Sequence, residues 1–261
     1  LNPSIQNLIS GLPSFGELCA QLKSVNVAKL NQAIVVLKSY LADSLEQLWL
    51  ATYQQNQCSS YDFNDAGKRA LKNIALTYLL SSKNAAKYLD LVQKQYQTAD
   101  NMTDKLAALI AINDSNDKLR AELLAQFNHE HQNYPLVMDK WFTLQSQSSR
   151  ADTLEQVKKL TAHPQYDNAN PNKLYSLIRA FTANSNHFNS VEGYKFIAAE
   201  ILRVDKFNSG VSARIAHGFS ILTSLAPEYQ QLAKPVLNEI LATEKLSNDV
   251  YELISKTMNQ L

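Results

Sequence analysis

Leu71-Lys-Asn-Ile74-Ala75-Leu-Thr-Tyr78-Leu79 sets apolar side chains at positions i, i+3, i+4, i+7 and i+8. Residues at that spacing share one face of a helix, the face a globular protein buries. The same period recurs in Met102, Leu106, Leu109 and Ile110, and again in Val250, Leu253 and Ile254. Few segments alternate apolar and polar residues as a half-buried strand would. Only 6 glycines and 7 prolines punctuate the 261 residues.

Stop and start signals divide the chain. Asn170-Pro171 reads as an N-cap followed by proline at the first helical position. Asp152 with Glu155 three residues on reads as a variant capping box. Pro135 and Pro227 stand where helices can begin, and Pro235 falls inside an apolar-periodic stretch that it should kink. These signals predict helices over residues 27–56 (open to a break), 64–81, 83–97, 102–113, 117–131, 135–147, 152–162, 171–183, 191–204, 211–225, 227–244 and 248–259. Short connections between them predict antiparallel neighbours. The expected fold is therefore all-α: a single helical-repeat domain over residues 1–261, an α-solenoid of stacked antiparallel helix pairs of the HEAT or armadillo kind. No strict sequence repeat supports it, so the expectation rests on helix lengths and spacing. Residues 1–25, with Gly11, Pro13 and Gly16 close together, read as less regular, either a linker-like opening or a broken first helix. Leu71, Leu106, Leu109, Leu123, Trp141, Leu177 and Leu253 are the expected core.

Composition narrows the function. With 25 basic and 24 acidic residues the net charge is +1, which predicts neither a nucleic-acid partner nor a membrane surface. No signal peptide is expected, and no apolar run is long enough to span a bilayer. Cys19 and Cys58 make no disulfide framework, and a reducing, cytoplasmic setting follows as the expectation. The chain opens on Leu1-Asn-Pro-Ser rather than Met, which reads as part of a longer protein.

Chemistry-bearing motifs are scarce. His129-Glu130-His131 resembles a zinc motif, but a zincin needs H-E-x-x-H, which puts both imidazoles on one helix face. At i and i+2 the two rings point roughly 200° apart, so they cannot share a metal. His163, His187 and His217 stand alone, with a surface or structural role as the default. No G-x-S-x-G, P-loop or G-x-G-x-x-G is present. No catalytic residue and no metal ligand is expected in this chain.

Five collinear stretches nevertheless resemble aminopeptidase N, the zinc-dependent alanyl aminopeptidase family of proteobacteria. They are Asp65-Ala-Gly-Lys-Arg-Ala-Leu-Lys-Asn73 with the apolar run to Leu80; Ala99-Asp-Asn-Met-Thr-Asp-Lys-Leu-Ala-Ala-Leu109; Leu136-Val-Met-Asp-Lys-Trp-Phe142; Asn170-Pro-Asn-Lys-Leu-Tyr-Ser-Leu-Ile178 with Ala180-Phe181; and Leu246-Ser-Asn-Asp-Val-Tyr-Glu-Leu-Ile254. In that family a helical domain is the last of four and cups over a thermolysin-like catalytic domain, which carries the zinc ligands. The resemblance implies a C-terminal domain that encloses the active-site cavity, restricts access to it and is not catalytic by itself. The implied partners are the catalytic domain of the same parent chain and peptide substrates; zinc would reside in that catalytic domain, not here.

Site residues carry over at three positions. Arg214 in Gly-Val-Ser-Ala-Arg matches an Arg that faces the cavity in the family, where it would favour a peptide carboxylate or polarise the wall; a plain surface Arg is the competing reading. The family's Asn-Pro-Asn is followed by two basic positions separated by one residue; here the first is Lys173 and the second is Tyr175. Arg214 and Lys173 are expected with their charged ends accessible, since an unpaired buried cation is costly. An exposed apolar patch is expected where the catalytic domain would sit. The alternative role is a free-standing helical scaffold that binds a protein or peptide on its concave face.

Overall fold

The computed structural model describes residues 2–58 and 61–261. Among them the structure is helical throughout, and the extended pairing is one isolated parallel bridge between Val25 and Leu225. Fifteen α-helices follow in order: α1 Pro3–Ser10, α2 Phe15–Gln21, α3 Val27–Ser44, α4 Glu46–Gln55, α5 Ala66–Leu79, α6 Leu89–Thr98, α7 Met102–Ile112, α8 Lys118–His131, α9 Pro135–Ser146, α10 Thr153–Leu160, α11 Pro171–Leu174, α12 Val191–Asp205, α13 Ser209–Ala216, α14 Pro227–Leu241 and α15 Asn248–Asn259. The all-α expectation holds. Residues 3–21, read as irregular, form two short helices, and α2 begins with a reciprocal capping box between Ser14 and Glu17.

Local chemistry explains most boundaries. The side chain of Asn170 accepts from the Asn172 N–H and caps α11, with Pro171 at its first position. Pro135 and Pro227 likewise open α9 and α14. α14 runs on through Pro235. Asp152 precedes α10 but makes no capping bond; its carboxylate engages Arg150 and Gln156 instead, so the variant capping box does not form. The 27–56 stretch breaks at Leu45. The stretch after α11 widens into a π-helical turn over Tyr175–Arg179, and α13 passes into a 3-10 segment over His217–Ser224.

Contacts gather in two compact units, residues 1–13 with 32–130, and residues 14–31 with 131–261. In the first, α5 packs against α1, α4 and α7, and α6 packs against α7. Leu76 and Leu79 of α5, Tyr96 of α6, Leu109 and Ile112 of α7 and Phe127 of α8 are fully enclosed. A parallel stack of Trp49 on Tyr78, 4.2 Å between centroids, joins α4 to α5. In the second unit α12 packs against α13 and α14, α13 against α15, and α9 against α10 and the π turn. Phe188, Tyr194 and Phe219 meet there edge-on and tilted, with centroids 5.3 to 5.7 Å apart. Of the expected core, Leu71, Leu109, Leu123, Trp141 and Leu177 are buried, whereas Leu106 and Leu253 are only partly covered.

A buried lysine braces each unit. Lys72 of α5 donates to Asp104 of α7 at 2.6 Å, and both residues are about 5% exposed. Lys173 of α11 donates to Asp139 of α9 at 2.6 Å and to the Pro135 carbonyl at 2.7 Å. Each pair pins two helices that hydrophobic contact alone would let slide.

Close packing at one glycine offers a test. A Cβ on Gly193, in the first turn of α12, would collide with the carbonyl oxygens of His187 and Phe188. On Gly210 of α13 it would meet only the Asn208 side chain at 3.8 Å. Gly193→Ala should lower unfolding free energy by about 1–3 kcal/mol through overpacking, while Gly210→Ala should be neutral or stabilising. Urea denaturation of the two variants checks this; equal effects would contradict the packing.

Candidate functional cleft

An open cleft of about 550 Å³ in the second unit is lined by Tyr175, Arg179, Ala213, Arg214, His217 and Leu253. Helical spacing puts these residues there. Tyr175 and Arg179 are four apart on the π turn, and Arg214 and His217 are three apart where α13 runs into its 3-10 extension, so each pair shares a face. Leu253 reaches the same space from α15. That explains its partial exposure.

Arg214 is exposed, and its Nη1 donates to the Tyr175 hydroxyl at 2.9 Å, with the guanidinium carbon 5.7 Å from the ring centroid. Its charged end is accessible, as the sequence reading expects. Tyr175, standing at the second of the family's two basic positions, orients this arginine. Arg179 and His217 are exposed beside it. Among the described residues, two arginines and no carboxylate line the cleft.

Lys173 corrects the sequence reading. Its side chain is 6% exposed, its ammonium held by Asp139 and Pro135 and lying 5.7 Å from the Phe142 ring centroid. It does not line the cleft. Lys173 and Tyr175 are two residues apart, so they face different directions, and the cation-accessible expectation fails at Lys173 for that geometric reason.

Glu130 and His163 have local roles. Glu130 accepts from Lys105 at 2.9 Å and Gln126 at 2.6 Å, and these donors draw its carboxyl below the usual range against the opposing cost of burial. His163 packs between Trp141 and Phe142, and burial pushes its imidazole below the ordinary value. Among the described residues no group of three or more His, Cys, Asp or Glu side chains could hold a metal ion. No helix of the described residues is long and apolar enough to cross a membrane.

The fold and this cleft define a helical-repeat module, and sequence comparison gives that module its family. Residues 1–259 match the family described as "Domain of unknown function (DUF3458_C) ARM repeats", and the chain belongs to it. It is 33% identical over 260 residues to aminopeptidase N of Haemophilus influenzae, a match covering 97% of this chain and 30% of that protein. To aminopeptidase N of Caulobacter vibrioides it is 34% identical over 263 residues, covering 98% of this chain and 30% of the relative. The chain thus spans under a third of the relatives' length, in their C-terminal part. Among solved structures, aminopeptidase A of Legionella pneumophila in complex with aspartic acid superposes with a TM-score of 0.91 at 28% identity, over 100% of this chain and 32% of that one. The resemblance read from the five sequence stretches is confirmed.

Arg179, His217 and Leu253 were missed by sequence reasoning. Their meeting is tertiary, although the i+4 step from Tyr175 and the i+3 step from Arg214 were visible signals. The buried pair yields a prediction: Lys173→Gln leaves Asp139 without its cation and should cost about 3 kcal/mol of stability. Arg214→Gln, at an exposed site, should change stability by less than about 0.5 kcal/mol. Chemical denaturation separates them; an unchanged Lys173→Gln midpoint would contradict the brace.

Proposed function

We propose that this chain is the C-terminal domain of a zinc-dependent aminopeptidase that releases N-terminal residues from peptides in the cytoplasm. In this reading the domain is not catalytic. It encloses the active-site cavity of a catalytic domain that holds the zinc, and admits short peptides while refusing folded proteins. The carrying observation is that nearly the whole chain matches the C-terminal part of aminopeptidase N relatives.

An apolar surface of the first unit supports the reading. Val35, Val36, Leu37 and Tyr40 of α3 are about half to two-thirds exposed, as are Leu48 of α4 and, more so, Leu8 and Ile9 of α1. α3 packs extensively on no single neighbouring helix, although its sequence runs Ala33-Ile-Val-Val-Leu37. Ile9, Leu41, Leu45 and Leu48 rim a groove of about 390 Å³ with no charged lining residue. Water-exposed apolar surface on this scale is a docking face. Its occupant in this reading is the catalytic part of an aminopeptidase chain, since the relatives carry some two-thirds of their length outside the matched stretch. In the second unit, Arg214 with Tyr175 forms part of the wall that a bound peptide meets.

The test is association. An aminopeptidase catalytic part lacking its own C-terminal domain should co-elute with this chain, and Val36→Asp should weaken the complex at least about ten-fold by burying an unpaired charge. Val36→Asp should leave the isolated chain's thermal midpoint unchanged, because the site is exposed. No complex, or a complex indifferent to Val36→Asp, would favour a free-standing scaffold instead.

A further inference from the structure

Residues of α4, α5, α6 and α7 line a polar cavity of about 360 Å³ in the first unit. That volume falls in the roughly 300–1,000 Å³ range of small-molecule sites and far exceeds the roughly 30 Å³ share of one water. Its floor is built from buried polar groups. Lys72 and Asp104, the pair that braces α5 to α7, both line it. Beside them Gln95 of α6 donates through Nε2 to the Asp104 carbonyl and to Asn73 Oδ1, each at 2.9 Å. Gln95 is 5% exposed, yet among the described residues its Oε1 has no donor. The Lys72 ammonium carries three N–H donors and, among the described residues, meets one acceptor, Asp104.

The rim carries one charge of each sign. Lys94 of α6 is exposed and pairs with no carboxylate among the described residues. Asp100 is exposed as well and is held by neutral donors, the Asn101 amide at 2.9 Å and the Tyr61 N–H at 2.7 Å. Those donors keep its carboxyl below the usual range, so it is charged at neutral pH. Lys94 and Asp100 therefore line one cavity without neutralising each other. With Lys72 and Asp104 already paired, the lining balances in charge and keeps a spare donor and a spare acceptor at its floor. A lone anion would be repelled by the two carboxylates, and a lone cation by the two lysines. A small ligand with both charges on one frame avoids either penalty.

We infer that this cavity binds a small zwitterion, a free α-amino acid, with its carboxylate on the lysine donors and its ammonium on Gln95 Oε1 and Asp100. The buried floor supplies hydrogen bonds shielded from water, and the rim supplies charge. The inference stands independently of the aminopeptidase reading. Within that reading, the residue released from a peptide is a molecule of this class.

The test titrates the 261-residue chain with L-alanine, N-acetylalanine, alanine amide and glycerol, followed by NMR. L-Alanine should shift the Lys72, Lys94, Gln95 and Asp100 resonances saturably. Blocking either charge, in N-acetylalanine or in the amide, should weaken binding about five-fold or more, the loss of one partly screened charge-assisted bond. Lys94→Gln and Asp100→Asn should each weaken L-alanine by a similar factor, and Lys118→Gln should not; all three residues are exposed, so the fold tolerates the changes. A thiol gives a second readout. Cys58 lines the cavity while Cys19 is buried. L-Alanine at its Kd should roughly halve the rate at which a neutral methanethiosulfonate reagent modifies Cys58. Glycerol or either blocked form binding as well as L-alanine, an unchanged Cys58 rate, or no saturable shift, as for a cavity that holds only water, would each overturn the proposal. Because binding is read on this chain alone, such a failure leaves the association test of Val36→Asp standing, and loss of association leaves the cavity's result standing.

Discussion

Two lysine–aspartate pairs, each at 2.6 Å and each shielded from water, fix how the helices of this chain meet. Burying an ion pair costs desolvation that its Coulomb attraction barely repays, so such pairs add specificity more readily than net stability. Short helices with apolar faces of Leu, Ile and Ala have many nearly equivalent ways to pack. A lysine that must find its one carboxylate removes most of them. Lys72 does this between α5 and α7, aided by Asn73 and Gln95, whose amides bond to Asp104 or to each other. Lys173 does it between α11 and α9. The second brace also sets the phase of the turn that follows, and with it the direction in which Tyr175 and Arg179 point.

The helical architecture was legible because its signals are local. Apolar period, proline at first positions and Asn170 as a cap lie within one turn of the residues they control. The two helices before Val25 were legible in part, since the Ser14–Glu17 capping box is written in the sequence, but Gly11, Pro13 and Gly16 obscured it. The Tyr175–Arg179 π turn and the 3-10 segment from His217 depend on tertiary packing and leave no comparable mark. At the cleft, Arg214 and Tyr175 came through family resemblance, while Arg179 and His217 needed the fold to bring α11's turn beside α13. Lys173 went astray where helix phase was set aside: residues two apart, like His129 and His131, do not share a face.

Polar and apolar surfaces divide the labour of the chain. The first unit shows water a helix that reads as core, with Val36 and Tyr40 exposed on it. The second unit shows two exposed arginines, Arg179 and Arg214, in one cleft. Both fit the proposed docking of this chain on the catalytic part of an aminopeptidase.

Enclosure of an active site is the central claim, and substrate size tests it most directly. Hydrolysis rates of an alanyl anilide, an alanyl tetrapeptide and a folded protein with an accessible N-terminal alanine should be measured for an aminopeptidase catalytic part, with and without this chain bound. The account predicts that binding of the chain suppresses cleavage of the folded protein while the anilide and tetrapeptide are still turned over. Equal change in all three rates on binding would contradict it.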